Sequence, residues 1–300
     1  MQRINRQFAA GLAGIAALCA APSLAQQFGP WQPPVSAESL TGSSPQLNTP
    51  ATEGCPILDP YTNDLLFASN RDGGAGGLDI WRAPWLGDGW GEPVNAGAPV
   101  VSSENDYCPT PVRGRTLFFV SRRDEPNGDI YVVKMRPNGY GAPERLPEPI
   151  NSPAQEWSPS FFIAEDGSRV LYFSSTRDGG QDIFASVDGA APVKIAALNT
   201  AADDARPNVS HDGLEIVFDS NRGGGAPDIW TSSRSSTSVP WSTPQPVAAV
   251  NSPAGESRAS LSWDGTAMVF GSTREGGDGG ADIYVSTREK ITGPKIVRPK

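Results

Sequence analysis

Short apolar runs separated by glycine- and proline-rich gaps occupy most of the chain. With few long helical patterns between them, they predict many short strands joined by tight turns. One phrase recurs five times: Phe-x-Ser-x-Arg, a glycine-rich gap, then Asp-Ile-aromatic. The copies start at Phe67, Phe119, Phe173, Phe218 and Phe270, and reach Asp79-Ile80, Asp129-Ile130, Asp182-Ile183, Asp228-Ile229 and Asp282-Ile283. Successive phenylalanines lie 52, 54, 45 and 52 residues apart, a period that marks a propeller or solenoid array.

The third copy shows how one unit builds itself. Residues 159–163 form an apolar run, and residues 165–168 carry the Asp-Gly of a hairpin turn. Residues 170–175 read as a second strand rich in aromatic and β-branched side chains. A second Gly-rich turn at residues 178–181 leads into a third strand over residues 182–186. A fourth strand is expected around Trp/Tyr-x-x-Pro, at Trp90–Pro93, Tyr140–Pro143 and Trp241–Pro244 in other copies. Proline is tolerated there because an outer edge need not donate every ladder bond. The expectation is an all-β chain: a five-bladed β-propeller of four-stranded antiparallel blades.

Side chains alternate along a strand, so the Phe, Ser and Arg of each phrase share one face. That face is buried where blades stack, and a buried arginine needs a partner. The aspartate before each isoleucine lies one hairpin away. The expected ion pairs are Arg71/Asp79, Arg123/Asp129, Arg177/Asp182, Arg222/Asp228 and Arg274/Asp282. Calcium in the Asp-Gly-Gly loops is less well supported, because Ca²⁺ takes 6–8 oxygen ligands and these loops offer one or two carboxylates each.

Residues 171–184, reading Leu-Tyr-Phe-Ser-Ser-Thr-Arg-Asp-Gly-Gly-Gln-Asp-Ile-Phe, resemble the TolB-type β-propeller repeat. That repeat is also found in propeller modules of peptidoglycan-associated outer-membrane proteins. The resemblance runs from about residue 46 to the end and implies a partner-binding role more than a chemical one. The chain differs from TolB in having five units rather than six, with no room for TolB's separate amino-terminal α/β domain.

Composition narrows the setting. Arg3 and Arg6, an apolar stretch over residues 8–21 and Ser23-Leu24-Ala25 form a secretory leader with cleavage after Ala25. Residues 26–45 follow as an amino-terminal segment, and residues 46–300 form the propeller. Propellers close by completing the last blade from the other terminus; Trp31-Gln-Pro-Pro34 fits that place, with residues 291–297 as competitor. Without residues 1–25 the chain holds 22 basic and 33 acidic residues, a net charge of −11. This sign argues against nucleic acid and anionic membranes, and no later segment is long and apolar enough to span a bilayer. A periplasmic or secreted monomer is expected, without cofactor or metal. Cys55 and Cys108 remain as an even pair in an oxidising compartment, a disulfide candidate.

A second recurring phrase, approximately Asn-Ser/Thr-Pro-Ala-x-acid, lies upstream of the phenylalanine in four units, and Val101-Ser-Ser-Glu-Asn-Asp106 replaces it in the second. Together they set Glu53, Asp106, Glu156, Asp204 and Glu256 before the first strand of every unit, where they are expected to ring one mouth of the central channel. The next two positions break the symmetry: Gly54-Cys55, Tyr107-Cys108, Trp157-Ser158, Ala205-Arg206 and Ser257-Arg258. One reading has the acids capping turns. The other is a ligand mouth in which Arg206 and Arg258 clamp an anion and Tyr107 and Trp157 stack on an apolar or sugar face.

Two classes of function follow. A binding or scaffolding module, for a protein or for an anionic or saccharide ligand, explains the regular units and the lack of a nucleophile–base pair. His211, the lone histidine, lies in a turn aligned with Glu165-Asp166-Gly167 and Trp263-Asp264-Gly265, so no catalytic residue is assigned. The alternative is a glycoside hydrolase working on an oligosaccharide, with Glu156 as acid and Asp106 or Glu53 as its partner. Two free carboxylates facing a pocket favour the enzyme; acids buried in hydrogen bonds favour the module.

Overall fold

A computed structural model of the chain describes residues 27–291. The leader expected over residues 1–25 and all but the first residue of the 291–297 stretch lie outside the described residues. Five antiparallel sheets follow one another. Blade 1 holds Glu53–Leu58, Leu65–Ser69, Asp79–Ala83 and Val94–Asn95. Blade 2 holds Asp106–Val112, Thr116–Ser121 and Asp129–Arg136, whose outer edge is shared by Gly139–Tyr140 and Glu144–Arg145. Blade 3 holds Glu156–Ile163, Arg169–Ser175, Asp182–Val187 and Val193–Lys194. Blade 4 holds Asp204–Val209, Glu215–Ser220, Asp228–Ser233 and Gln245–Pro246. Blade 5 takes Glu256–Leu261, Ala267–Ser272 and Asp282–Thr287 from the carboxy-terminal end, and its outer strand, Val35–Ser36, from the amino-terminal end. The chain is an all-β, five-bladed propeller.

The repeated phrase sets the register. In each blade the phenylalanine pairs directly with the aromatic after Asp-Ile: Phe67 with Trp81, Phe119 with Tyr131, Phe173 with Phe184, Phe218 with Trp230 and Phe270 with Tyr284. All five phenylalanines are fully buried. Such cross-strand aromatic pairs each add about 0.2–1 kcal/mol over alanines.

In blades 1, 4 and 5 the outer strand begins after the Trp-x-x-Pro element rather than within it. Pairing starts just after the proline, at Val94, Gln245 and Val35, because proline has no N–H to give the ladder. The tryptophans Trp90 and Trp241 instead bury their rings, donating Nε1–H to the Asn63 carbonyl and the Tyr172 hydroxyl. In the closing segment Trp31 is half-buried, Arg288 stacks on it at 4.2 Å, and the strand again starts after Pro34. Lys290–Ile291 pairs with Gln27–Phe28 outside the blade, so it does not compete for the edge.

The asparagine of the second phrase ties neighbouring blades together. Asn151, Asn199 and Asn251 each accept the N–H and donate to the C=O of the Asp-Ile isoleucine in the preceding blade. Asn48 does the same to Ile283 of blade 5, across 235 residues of sequence. One side chain thus repeats at the seam what it does inside the ring.

Candidate functional site

The five arginines do not take the aspartates expected as partners. Arg71 pairs with Glu53 at 3.0 Å, Arg123 with Asp106 at 2.8 Å, Arg177 with Glu156 at 3.1 Å and Arg274 with Glu256 at 3.0 Å; Arg222 pairs with Asp204. The ladder explains the change. The strand serine lies opposite the acid on one side and the aspartate on the other, as Ser69 does between Glu53 and Asp79. Arg71 donates through Nε to Ser69 Oγ and lies over the Phe67 and Trp81 rings, while its Nη atoms reach the carbonyls of Gln46 and Leu47. The guanidinium is thereby turned toward the acid and the chain segment that enters its own blade. The displaced aspartates serve the hairpin or the outer edge. Asp79 accepts the N–H groups of Ala75 and Gly76, Asp129 pairs with Arg145, Asp182 pairs with Lys194, and Asp282 accepts from Asp278 N–H. Asp228 has its pKa raised by burial, then by the nearby Glu256.

The acids are equally committed. Glu156 accepts Ser152 N–H at 2.8 Å, Ser152 Oγ at 2.7 Å, Ser175 Oγ at 2.7 Å and Arg177 Nη2 at 3.1 Å. Glu53 and Glu256 hold the same four donors from Thr49, Ser69 and Arg71 and from Ser252, Ser272 and Arg274. Asp204 is held by Thr200, Ser220 and Arg222, and Asp106 by Ser102 and Arg123. All five acids are fully buried. A carboxylate offers about four lone-pair sites, so four of the five, all but Asp106, are filled outright and none faces an open mouth.

The two positions after each acid diverge, as expected, but they fill space rather than line an entrance. The inner strand slips register there in every blade, an extra residue that kinks the strand. The second residue adopts positive φ in all five: Cys55 at 51°, Cys108 at 48°, Ser158 at 52°, Arg206 at 53° and Arg258 at 52°. Cys55 and Cys108 are joined by a disulfide between blades 1 and 2, with Cα atoms 4.8 Å apart. Arg258, only 1% exposed, donates to the carbonyls of Pro207 and Pro159 and to Thr110 Oγ1. It touches blades 4, 3 and 2 from blade 5, which only a residue on the central axis can do. Arg206 pairs with Asp219 at 2.5 Å, and Asp219 also accepts Arg258 N–H. Burial pushes the Asp219 carboxyl up and pulls Arg258 down to about 10. Trp157 is buried among Cys108, Val120 and Ala205, with Tyr107 half-buried beside them. Neither aromatic forms a stacking wall at an entrance.

The entrance lies at the other end of the inner strands. A cavity of about 210 Å³ collects residues from all five blades there, with Ile57, Val112, Phe161, Val209 and Leu261 among its walls. Its rim is a continuous stack. Arg113 lies 3.8 Å over the Trp263 ring and 5.7 Å from Tyr61, and His211 lies 4.4 Å from Trp263. Trp263 and His211 occupy equivalent turn positions before Asp-Gly in blades 5 and 4, where blade 3 has Glu165. The sequence signal was therefore present, as a departure from the repeat in the hairpin turn, but the turn alignment alone does not show that four blades meet there. Among the described residues no group of three or more His, Cys, Asp or Glu side chains is placed to hold a metal ion. No helix among them is long and apolar enough to cross a membrane.

Solved structures share this architecture. The putative TolB from Agrobacterium tumefaciens is 17% identical with a TM-score of 0.50, covering 82% of this chain and 92% of its own. The Bacillus subtilis arabinanase Arb43A is 11% identical with a TM-score of 0.56, covering 85% and 97%. An endo-arabinase from Bacteroides thetaiotaomicron is 14% identical with a TM-score of 0.55, covering 89% and 99%. Neither a protein-family model nor a curated protein sequence matches the chain. At these identities the likeness establishes the fold, a TolB-like propeller, and leaves function to the site.

Proposed function

We propose that the chain is an exported binding module whose partner or ligand enters one mouth of the central channel. The observation that carries this reading is the state of the five repeated carboxylates: each is buried, and each is held by hydroxyl, amide and guanidinium donors of its own blade. A general acid or nucleophile must reach its substrate. With its acid end occupied, the channel offers its apolar cavity and the Tyr61–Arg113–Trp263–His211 rim. Export is supported by the leader pattern and by the inter-blade disulfide, a bond that persists in oxidising compartments.

The hydrolase reading draws on the likeness to arabinanases. It requires two free carboxylates about 5–5.5 Å apart for retention or about 6.5–9.5 Å for inversion. The test pairs two assays on the mature protein. Immobilised protein is expected to retain a periplasmic component saturably, with loss of retention in Trp263→Ala, while arabino- and xylo-oligosaccharides remain uncleaved. Release of reducing ends that disappears in Glu156→Gln overturns the module and establishes the enzyme.

A further inference from the structure

The cavity has an electrostatic character that its apolar walls conceal. Its floor includes Thr110, and behind Thr110 lies the Arg258 guanidinium, bonded to carbonyls and a hydroxyl and with Nε free of any hydrogen-bond partner. The carboxylate in contact with Arg258, through its backbone N–H, is Asp219, which already pairs with Arg206. Two arginines share one carboxylate on the axis, so one positive charge stays uncompensated beneath the cavity. At the rim, Arg113 is exposed and makes ring contacts but no ion pair among the described residues. In a chain with 33 acidic and 24 basic residues, two unneutralised arginines along one short path are a local reversal of sign. A buried, unpaired cation is costly, and a bound anion relieves that cost through a low-dielectric wall, where charge interactions are strengthened.

Resting on the binding reading, we propose that this cavity takes a compact apolar carboxylate. Its hydrocarbon group fills the space between Ile57, Val112, Phe161 and Leu261, and its carboxylate lies at the rim against Arg113. The cavity is smaller than the roughly 300–1,000 Å³ of drug-sized sites, so one aryl or branched alkyl group fits and an oligosaccharide does not. Asn208 and Ser160, which also line it, already donate or accept within the inner strands: Asn208 Oδ1 accepts Leu261 N–H and Ser160 Oγ accepts Val209 N–H. Those two acceptors are already taken and not open to a sugar's hydroxyls. The carboxylate can come from a free acid or from the carboxy-terminal residue of a polypeptide, which present the same chemistry.

Isothermal titration of the mature protein with 3-phenylpropionate, 3-phenylpropionamide, acetyl-Gly-Phe and its carboxamide tests this. Both acids are expected to bind at least tenfold more tightly than their amides. Arg113→Gln, a rim substitution that leaves the core intact, is expected to abolish that preference while leaving amide binding unchanged. Leu58→Trp, narrowing the cavity wall, is expected to weaken all four probes. If Leu58→Trp fails to fold, the Arg113→Gln comparison decides alone. A peptide acid binding tenfold more tightly than the free acid assigns a polypeptide terminus; the reverse order assigns a free acid. Equal binding of acids and amides overturns the carboxylate inference, as does an Arg113→Gln preference unchanged from wild type or no binding by any probe. Retention of a periplasmic component in the separate capture assay would then leave the module reading standing; its failure there would sink that reading by itself.

Discussion

The acid end of the channel and its opposite mouth are built from the same five strands, yet they follow opposite rules. At the acid end every blade repeats one arrangement: acid, strand serine, arginine, and a Ser or Thr whose N–H and hydroxyl close on the acid. At the other mouth no two blades agree, and the rim is assembled from Tyr61, Arg113, Trp263 and His211 of four different blades. Uniformity goes with complete satisfaction of polar groups, because a ring closes only if its wedges are alike. Variation goes with exposure, where closing the ring imposes no demand. The axis lies between, with five residues in one strained backbone state carrying unlike contacts: a disulfide shared by two of them, a hydroxyl, and two arginines.

The largest test of this contrast is to remove what makes the fifth blade equal to the others. Deleting residues 26–45 takes away Val35–Ser36, the outer edge bonded to Val285 and Tyr284. It also removes Trp31, on which Arg288 stacks. The truncated chain is expected to lose its cooperative thermal transition, followed by circular dichroism. An unaltered melting curve would mean that the seam is held by Asn48 and the core alone.

Next is a break in the uniform row. Glu256→Ala strands Arg274, the Ser252 hydroxyl and the Ser272 hydroxyl in a buried site. Removing one partner of a buried ion pair costs about 3–5 kcal/mol, which corresponds to a melting-point drop of roughly 6–20 °C for a domain somewhat smaller than this one. The equivalent change at Glu53 or Glu156 should cost about the same, since the four donors are the same. A Glu156→Ala protein that melts like wild type would break the uniformity and reopen a site at that acid.

How far the sequence foretold these regions follows from the same division. The five-fold phrase gave blade number, strand order and the aromatic register, because pairing Phe with the aromatic after Asp-Ile is a matter of spacing. The partner of each arginine was not legible. Acid and aspartate lie equally near the serine, and the choice rests on the carbonyls of the segment entering each blade, such as Gln46 and Leu47 for Arg71. Irregularity after each acid was legible, as was the nearness of the two cysteines. Its meaning was not: the bulge and positive φ that turn Arg258 inward to the axis leave no mark in residue type, since Cys, Ser and Arg all occupy the position. The opposite rim was hidden for a plainer reason. Tyr61 and Trp263 are 202 residues apart in sequence, and only ring closure brings Arg113 between them.

The disulfide tests the axis at intermediate size. Cys55–Cys108 closes a loop across 53 residues of sequence, and removing such a link typically costs about 2–4 kcal/mol. Cys55→Ser with Cys108→Ser should therefore lower the denaturation midpoint by less than Glu256→Ala does. Adding reductant to wild type should reproduce the shift, and reductant should leave the double variant unchanged. A larger loss than in Glu256→Ala would place the axis, rather than the acid row, at the centre of stability.

The smallest expected effect concerns Arg258, and it separates an axial charge kept for a ligand from one kept for the fold. Its pKa is pulled down to about 10 by burial, opposed by Asp219. The folded state thus binds its proton less tightly than the unfolded chain does. The charged form lowers stability below that pKa, and the penalty fades as pH rises from about 10 toward the unfolded value. The Asp219 carboxyl, raised by burial, behaves oppositely: its penalty is present at neutral pH and is relieved as pH falls toward the ordinary carboxylate range. Arg258→Met keeps the length of the side chain and removes the charge. It also leaves the carbonyls of Pro159 and Pro207 without this donor, a cost of about 1–3 kcal/mol offset by the charge no longer buried. The net change at pH 7 should stay within about 2 kcal/mol. Urea denaturation at pH 7 and again above pH 10 should show wild type gaining on the variant as the guanidinium discharges. A loss as large as that of Glu256→Ala at pH 7, with no change at high pH, would make Arg258 one more saturated member of the fold and remove the reason for its unneutralised charge beneath the cavity.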